Sequence, residues 1–325
     1  MVPLPVACPD RAMWQQCPPH YAGDVPEGAE GSVAPHRLTV GVVGVGRAGS
    51  AVGAALRRAG HRVVAVSAVS ELSRVRAEAM LPGVPVTEVP AVVRGRDLVV
   101  LAVPDDVLPK LVVGLAATGA FSAGQFVVHL SGRFGTDVLA PATAAGALPL
   151  ALHPVMTFTG TSVDLARLDG CPFGVTAPEV LRPVAEALVV EMGGDPVWVA
   201  EEHRGLYHAA LANSSNHLIT LVAQTLDLLS HAGVDDPARL VWPLLHASLD
   251  NALDAGDRAL TGPVSRGDAG TVAMHVAEIG AVSRAAQSAY IAMARLTADR
   301  ALAAGRLSPE QAASLLGALA PVEGA

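Results

Sequence analysis

The chain has 325 residues, enough for one large domain or two domains of ordinary size. Its residues are 51% hydrophobic and only 3% aromatic, so a large core must be built from alanine, valine and leucine. The net charge of −8 argues against nucleic acid or an anionic membrane surface as the main partner.

Cysteine usage and the lack of targeting signals favour a cytoplasmic protein. Cys8, Cys17 and Cys171 are scattered and form no CxxC pair, so we expect neither a disulfide framework nor a metal site. The N-terminus lacks a basic segment followed by an apolar one, and no apolar run reaches the about 18 residues of a membrane helix. We therefore expect no membrane partner.

Residues 1–36 are predicted to be a disordered tail, because prolines recur throughout and 27–32 resembles a linker. Further on, short apolar runs alternate with helical patterns. Strands are predicted at 38–43, 61–66, 84–86, 97–103, 125–130, 147–152, 173–176 and 196–200, and helices at 50–58, 73–80, 105–115 and 178–192.

Apolar strands alternating with helices predict a parallel sheet covered on both faces, and strand signals stop near residue 200. The fold class is therefore α/β, with a Rossmann, doubly wound and mainly parallel sheet at 37–200 followed by an all-α domain at 201–325. Turns are expected near 233–237 and 261–263.

The segment Gly44-Val45-Gly46-Arg47-Ala48-Gly49 matches the pattern GxGxxG. The pattern alone is weak, but here it follows a predicted strand, opens a helix and precedes a second strand. Gly44 permits the tight turn, Gly46 allows close approach of a pyrophosphate, and Gly49 allows the helix to pack on the strand. With Arg47 and Ala48 at the helix N-terminus, this segment predicts a dinucleotide site.

The residues after the second strand favour NADP over NAD. An NAD site usually carries an acidic residue there, whereas this chain has Ser67 and Ser70 with Arg74 one turn later, groups that suit a 2′-phosphate. Glu71 is close enough to keep NAD as the less favoured alternative.

The end of the fourth predicted strand should border the nicotinamide ribose, because ligands of open α/β sheets lie at the carboxyl ends of strands. Val103 and Pro104 occupy that place. Asp105 is expected to cap the following helix.

Ser131 and His153 follow the fifth and sixth predicted strands, where a strand end meets a cofactor. A serine there could hold a substrate carbonyl or carboxylate, and a histidine could transfer a proton. The alternatives are a turn-forming serine and a structural histidine, and the residues do not decide between them.

The helix at 204–230 carries no charged residue from Gly205 to Leu226, which predicts a buried helix. A polar stripe runs along it, and such groups need partners that a ligand cavity or neighbouring helices could supply. The stripe comprises Asn213, Asn216, His217, Thr220 and Gln224. Of these, Asn213, Asn216 and His217 are candidate catalytic or substrate-orienting residues, whereas His208 lies to the side.

The segment 261–268 carries two further polar candidates. Asp268 is predicted to cap a helix at 269–289. Arg266 could clamp a substrate carboxylate, although a plain surface arginine is the favoured interpretation.

Taken together, these motifs resemble the Rossmann-like bacterial proteins that carry a C-terminal helical domain of unknown function, over about 37–320. More broadly the layout is similar to the 6-phosphogluconate dehydrogenase C-terminal-domain-like superfamily, which includes ketopantoate reductase, pyrroline-5-carboxylate reductase, β-hydroxyacid dehydrogenases and prephenate dehydrogenase. The resemblance implies a nicotinamide cofactor between the domains and a homodimer formed through the helical domain.

The chain departs from part of that superfamily at one position. β-Hydroxyacid dehydrogenases and ketopantoate reductases carry a lysine before an asparagine that Asn213 could match, and here Ala209 stands in its place. Lys110 is the only lysine and lies in the other domain. Ser131 and His153-Pro154 instead resemble the serine and histidine of prephenate dehydrogenases, so we favour His153 as the proton-transfer group.

The expected function is hydride transfer between NADP and a carbonyl carbon of a small, carboxylate-bearing substrate. Two alternatives stay open. One is imine reduction of the pyrroline-5-carboxylate reductase type, and the other is nucleotide binding or sensing without turnover.

Overall fold

The computed structural model describes residues 37–320, so the predicted tail at 1–36, with Cys8 and Cys17, lies outside the described residues. The strands are β1 (Thr39–Val43), β2 (Arg62–Ser67), β3 (Leu98–Leu101), β4 (Phe126–His129), β5 (Leu148–Pro154), β6 (Pro172–Thr176) and β7 (Asp195–Trp198). The helices are α1 (Arg47–Arg58), α2 (Glu71–Met80), α3 (Val89–Val93), α4 (Leu108–Ala117), α5 (Ala140–Ala144), α6 (Val163–Arg167), α7 (Arg182–Glu191), α8 (Arg204–His231), α9 (Pro237–Ala255), α10 (Gly262–Arg266), α11 (Ala269–Val282), α12 (Arg284–Ala303) and α13 (Pro309–Ala318).

The described strands form one sheet in the order β2-β1-β3-β4-β5-β6-β7. Neighbouring strands are parallel except β5 and β6, which are antiparallel. This mostly parallel sheet and the helical region after it confirm the predicted fold class. The chain leaves β1 in opposite directions toward β2 and β3, and the crevice at such a reversal is where α/β sheets bind ligands.

Side chains of β1 alternate between two cores, as the period of a β-strand requires. Val40 and Val42 pack with α1, α2 and α7 on one face. Val43 packs with α3, α4 and α5 on the other. A separate core holds α10 to α13 together, and it includes Val272 and Leu315. Within residues 37–320 no helix is both long enough and apolar enough to cross a membrane.

The third predicted strand, at 84–86, is wrong. This segment forms only an isolated bridge between Val66 and Val86. Val66 bonds the carbonyl of Pro85 and the amide of Thr87. Proline has no N–H to continue a ladder, so the pairing ends there.

Two helix boundaries also differ from prediction. The predicted helix at 269–289 is divided at Ser283, whose backbone is extended and whose side chain accepts from the amide of Ala286 to begin α12. Asp105 does not cap α4. That helix begins after Val107, with proline in its first turn and no side-chain cap. By contrast, Asp268 caps α11 as predicted, accepting from the amide of Thr271.

The prediction that the uncharged helix is buried is wrong for the single chain. Among the 28 residues of α8, all of them described, Arg204 alone is buried. Leu206 and Ile219 are 75% and 65% exposed. An uncharged surface signals that something covers a helix, and within residues 37–320 the neighbouring elements cover α8 only in part.

Gly49 sits where α1 packs on the sheet, and its substitution tests that packing. A Cβ there would overlap the carbonyl oxygen of Gly44 and lie 2.8 Å from Cβ of Ala102. We expect Gly49→Ala to destabilise the fold by about 1–3 kcal/mol. Gly114→Ala on the exposed side of α4 meets no atom within 4 Å and should stabilise by up to about 1 kcal/mol. Urea unfolding measures the change in unfolding free energy for both variants. Equal changes would show that the close contact of Gly49 with Gly44 and Ala102 does not constrain the fold.

Candidate active site

The glycine turn after β1 is held between the ends of two neighbouring strands. Gly44 has a φ of +88°. Its amide donates to the hydroxyl of Ser67 at 3.0 Å. A Cβ on Gly44 would lie 2.6 Å from the carbonyl oxygen of Ala102 beyond β3. The turn therefore needs glycine at this position. The hydroxyl of Ser67 holds the turn by accepting from Gly44, whatever contact it makes with a cofactor.

The N-terminus of α1 is open toward the crevice. Gly46 caps the helix without a side-chain hydrogen bond, and the first turn holds no acidic residue. No atom lies within 4 Å of the position where a Cβ of Gly46 would be. The free amides at Arg47 and Ala48 therefore face open space, and this arrangement suits a pyrophosphate.

A cavity of about 490 Å³ lies beside this turn, at the end of β2. Its lining includes Ser67, Arg74, Thr87 and Glu88. Arg74 forms no ion pair within the described chain, and Oγ1 of Thr87 is buried without a partner there. An arginine and a free hydroxyl fit a phosphate on a ribose, although Glu88 contributes a carboxylate to the same lining.

The hydroxyl of Ser70 is already used within the chain. It accepts from the amide of Ser73 and forms a capping box at the start of α2. Ser70 therefore shapes the wall beside Arg74, and whether it also contacts a cofactor stays a prediction.

The loop after β5 crosses over to the glycine turn. A Cβ on Gly160 would lie 3.0 Å from Cγ of Arg47 and 2.6 Å from Nε of Arg76. The fully buried carboxylate of Asp164 fixes this loop by accepting from the amide of Gly160 at 2.7 Å and the hydroxyl of Thr159 at 2.8 Å. Burial opposes ionisation of Asp164, but these hydrogen bonds outweigh it and lower its pKa.

The loop after β4 is fixed by a buried histidine. His129 bonds the carbonyl of Gly135 through Nε2 at 2.7 Å and accepts from the amide of Ser131 through Nδ1 at 3.2 Å. Burial lowers the pKa of His129 to about 4, so the ring is neutral with its proton on Nε2. The hydroxyl of Ser131 accepts from the amides of Arg133 and Phe134. Ser131 therefore forms a turn, and its predicted contact with substrate is untested.

His153 lies near the carboxyl end of β5 and faces the first turns of α8. Its Nδ1 is 2.9 Å from the hydroxyl of Tyr207. The ring of His208 meets it edge-on, with centroids 6.3 Å apart. A Cβ on Gly132 would lie 2.9 Å from Nε2 of His153. The strand end and the helix thus hold this imidazole on two sides.

The environment of His153 keeps it neutral. Burial, followed by the charges of Arg204 and His208, lowers its pKa to about 4. Asp105 acts in the opposite direction on both His153 and His129. The carboxylate of Asp105, in the loop after β3, therefore lies near both histidines, although it is not the helix cap that the sequence predicts.

A cavity of about 400 Å³ opens beside His153. Its lining combines the loop after β5 with one face of α8 and includes Met156, His208, Leu211, Ser215 and Asn216. Of the polar stripe, Asn216 therefore shares a cavity with His153.

The other stripe residues line a different cavity, of about 470 Å³, between α8 and α12. Asn213 and His217 lie there and bond each other at 2.7 Å through Oδ1 and Nδ1. Thr220 and Gln224 share that lining. The predicted stripe is thus divided between two faces of one helix.

Comparison with known proteins agrees with this architecture. Residues 24–154 match the model of a Rossmann-like domain, and residues 171–297 match a domain of unknown function, DUF2520. The chain combines a Rossmann-like domain with a C-terminal DUF2520 domain. This confirms the resemblance drawn from the motifs. The DUF2520 match begins before β6, so it includes the last two strands of the sheet.

Solved structures share the fold at low identity. The Bacteroides fragilis protein BF3122, named as an NADP oxidoreductase, is 20% identical, with a TM-score of 0.67 over 81% of this chain and 98% of its own. An imine reductase from Myxococcus stipitatus in complex with NADP+ is 17% identical, with a TM-score of 0.62 over 82% and 95%. An imine reductase from Pseudomonas sp. is 19% identical, with a TM-score of 0.60 over 87% and 100%. No curated protein matches the sequence.

Arg266 of the DUF2520 domain lines a separate cavity with Thr261, Ser265 and Arg306. Its proposed contact with a substrate carboxylate stays a prediction. Within residues 37–320 no three His, Cys, Asp or Glu side chains are grouped to hold a metal ion.

Sequence reasoning did not select Arg204 or Tyr207, and it ranked His208 below the stripe. One signal was available. Arg204 is the last charged residue before the long uncharged stretch of α8, and an arginine at such a boundary commonly serves a specific partner. The contact of Tyr207 with His153 joins residues 54 apart, and no local pattern indicates it.

Asp164→Asn tests how the loop over the crevice is fixed. The amide cannot satisfy the converging donors, so we expect a loss of about 1–3 kcal/mol in unfolding free energy at pH 7. Because the folded pKa of Asp164 is lowered, its stabilisation is present above the unfolded pKa and declines as the pH falls through the folded value. The deficit of the variant should therefore shrink at pH 3.5.

Asp169→Asn is the matched control, since its carboxylate is 61% exposed and pairs with Arg58 at the surface. Urea unfolding should show an effect of at most about 1 kcal/mol there. A deficit for Asp164→Asn no larger than that of the control would contradict the assigned role of the loop.

Proposed function

We propose that this protein is an NADP-dependent oxidoreductase that transfers a hydride to or from a carbonyl carbon of a small substrate held beside His153. The observation that carries the proposal is the uncapped N-terminus of α1 at Gly46, with no atom within 4 Å of its missing side chain. The loop that contacts Arg47 at this turn begins just after His153 in β5. One continuous strand and loop therefore link the nucleotide crevice to the candidate proton donor.

The residues present fit the cofactor. The amides at Gly46, Arg47, Ala48 and Gly49 would hold the pyrophosphate, and Arg74 the 2′-phosphate. Ser67 and Ser70 shape that end, while Val103 and Pro104 would border the nicotinamide ribose. The Myxococcus stipitatus neighbour binds NADP+ and the Bacteroides fragilis neighbour is named an NADP oxidoreductase, which supports the same choice over NAD. When bound, the cofactor supplies or accepts the hydride.

The chain's own residues would place the substrate and move the proton. Nε2 of His153 lies beside Gly132 at the cavity, where it can donate to a substrate oxygen. Asn216 in the same lining, together with Ser131, would orient the substrate. Asn213 and His217 would act from the neighbouring cavity, if the substrate extends that far along α8.

Imine reduction is the second candidate, and one observation favours it. The described lining of the His153 cavity contains no lysine or arginine, and the nearest carboxylate acting on His153 is Asp105. A carboxylate-bearing substrate lacks a counter-ion in that lining, whereas an imine, which becomes cationic on protonation, does not need one. Two of the structural neighbours are imine reductases.

Titration with NADPH and NADH, followed by cofactor fluorescence, tests the proposal. We expect NADPH to bind more tightly. Gly46→Val should abolish binding without unfolding, because its Cβ fills only ligand space. Arg74→Ala should weaken NADPH by about 10- to 100-fold while leaving NADH unchanged, as loss of a charged hydrogen bond implies.

Arg62→Ala is the matched control, since Arg62 is exposed at the opposite end of β2. Cofactor turnover with 2-oxo acids would support the carbonyl reaction, and turnover with cyclic imines only would support the second candidate. Binding without any turnover would favour a nucleotide sensor, and failure to bind either nucleotide would refute the cofactor assignment.

We also propose that a second copy of the chain covers the exposed face of the DUF2520 domain. Large apolar side chains are exposed along α8 and α9, including Leu206, Ile219, Trp242 and Leu253, the last at 78%. Such continuous apolar helices mark association surfaces. A homodimer through this domain accounts for the uncharged surface of α8.

Light scattering on the purified protein should give twice the chain mass of 33.0 kDa. Ile219→Glu with Leu253→Glu should shift it toward the monomer, because burying two unpaired carboxylates is costly. Val180→Glu changes an 84% exposed valine of the sheet domain and should leave the dimer intact. A monomeric wild-type protein would contradict the proposal.

A further inference from the structure

Arg204 is a buried cation that makes no direct ion pair within residues 37–320, although the carboxylate of Glu201 acts on its charge from further away. It is 2% exposed and donates through Nε to Thr176 at 2.7 Å and through Nη2 to the carbonyls of Ala151 and Gly174 at 3.1 and 3.0 Å. Its Nη1 has no partner within residues 37–320, and no described carboxylate pairs with it. Burying an uncompensated charge is costly, so its retention needs an explanation.

Two groups that can be anions act on Arg204: the hydroxyl of Tyr207, three residues after it in α8, and the carboxylate of Glu201, three residues before it. Of the two, Tyr207 bonds His153. The guanidinium carbon of Arg204 lies 5.6 Å from the centre of the Tyr207 ring. Burial raises the pKa of this tyrosine, the charge of Arg204 lowers it, and the thiol of Cys171 raises it. The backbone of Gly174, which lies beside the phenol oxygen, also lowers it.

The hydroxyl of Tyr207 and Nδ1 of His153 share a hydrogen bond of 2.9 Å. In the tautomer of His153 that carries its proton on Nε2, Nδ1 is an acceptor and the phenol O–H donates to it. A Cβ on Gly174 would overlap this hydroxyl, so the absence of a side chain there makes room for the pair.

His153 cannot act as an acid in the ordinary way. Its burial and its cationic surroundings disfavour an imidazolium near neutral pH. A neutral imidazole has one N–H proton, and giving it from Nε2 would leave an imidazolate unless Nδ1 gains another proton. The only donor bonded to Nδ1 within the described chain is Tyr207.

We propose that Tyr207 and His153 form a proton relay, with Arg204 stabilising the tyrosinate that the relay produces. As Nε2–H of His153 gives its proton to the reacting oxygen or nitrogen of the substrate, Tyr207 O–H gives its proton to Nδ1. The ring stays neutral, with its proton now on Nδ1. The site is restored when the Nδ1 proton returns to the tyrosinate across the same hydrogen bond and Nε2 takes a proton from water in the cavity. Oxidation would run the same transfers in reverse.

This inference rests on the proposed function, because the relay needs a substrate atom that takes up the proton. Tyr207 and Arg204 act through His153 and are positioning residues. His275 and Tyr290 provide a comparison, since their Nδ1 and hydroxyl are also 2.9 Å apart with rings at 83°, but no arginine acts on that tyrosine.

Nitrogen-15 NMR of the histidine side chains in the full chain tests the arrangement. We expect His153 at pH 7 to be neutral with its proton on Nε2 and Nδ1 accepting. Tyr207→Phe should remove the Nδ1 hydrogen-bond signature, and Tyr290→Phe should change His275 alone. A proton on Nδ1 of His153, or a charged ring, would overturn the relay. This test keeps Arg204 unchanged, so it does not depend on whether an Arg204 variant folds.

Ultraviolet titration of tyrosine, with Tyr207→Phe as the difference reference, tests the electrostatics. Arg204→Met should raise the pKa of Tyr207 by about one unit or more, and Arg204→Lys should largely preserve it. An unchanged value in a folded Arg204→Met variant would refute the role of the arginine; if that variant does not fold, the NMR result decides.

NADPH titration of the same samples separates the two hypotheses. Tyr207→Phe should bind NADPH as the wild type does, because the relay lies away from the glycine turn. NADPH binding with the wrong tautomer would overturn the relay alone. The expected tautomer without any nucleotide binding would overturn the proposed function, and with it the relay as a catalytic device.

Discussion

The guanidinium of Arg204 joins the first turn of α8 to the two antiparallel strands of the sheet. It donates to the carbonyls of Ala151 in β5 and Gly174 in β6 and to the hydroxyl of Thr176 in β6, so the start of the helix is fixed to both strands. Tyr207 and His208, one turn later, inherit their positions from this anchor. The antiparallel pairing sets His153 directly opposite Gly174. This register brings His153 within reach of Tyr207, because Arg204 of the same helix is bonded to Gly174.

The loops around the crevice are fixed from within rather than by their ends. His129 holds the turn after β4, and Asp164 holds the loop after β5, each by converging bonds to backbone groups. Both are buried polar residues whose charge state is set by their surroundings. Such internal ties limit the reorganisation that binding requires, which is how a site becomes pre-organised.

Much of this architecture follows from local pattern. Buried β-branched runs identify the sheet, and Gly44 and Gly49 are needed because a Cβ would strike neighbouring backbone. The sequence misleads over α8, whose uncharged stretch predicts a buried helix although Arg204 alone of its residues is buried. The sequence does not predict contacts between residues far apart in the chain, such as the hydrogen bond between His153 and Tyr207. The residues around His153 do not indicate which helix will pack against the end of its strand.

Burial of neutral histidines also bears on how the protein tolerates acid. His129 ionises only near pH 4 when folded, whereas a histidine in the unfolded chain takes up its proton near pH 6.5. Between those values the unfolded chain binds more protons, so roughly 3 kcal/mol of stability is lost from this residue as the medium is acidified. His153 adds a loss in the same direction. The imidazoles that organise the crevice at neutral pH thus make the folded state progressively less stable in mild acid.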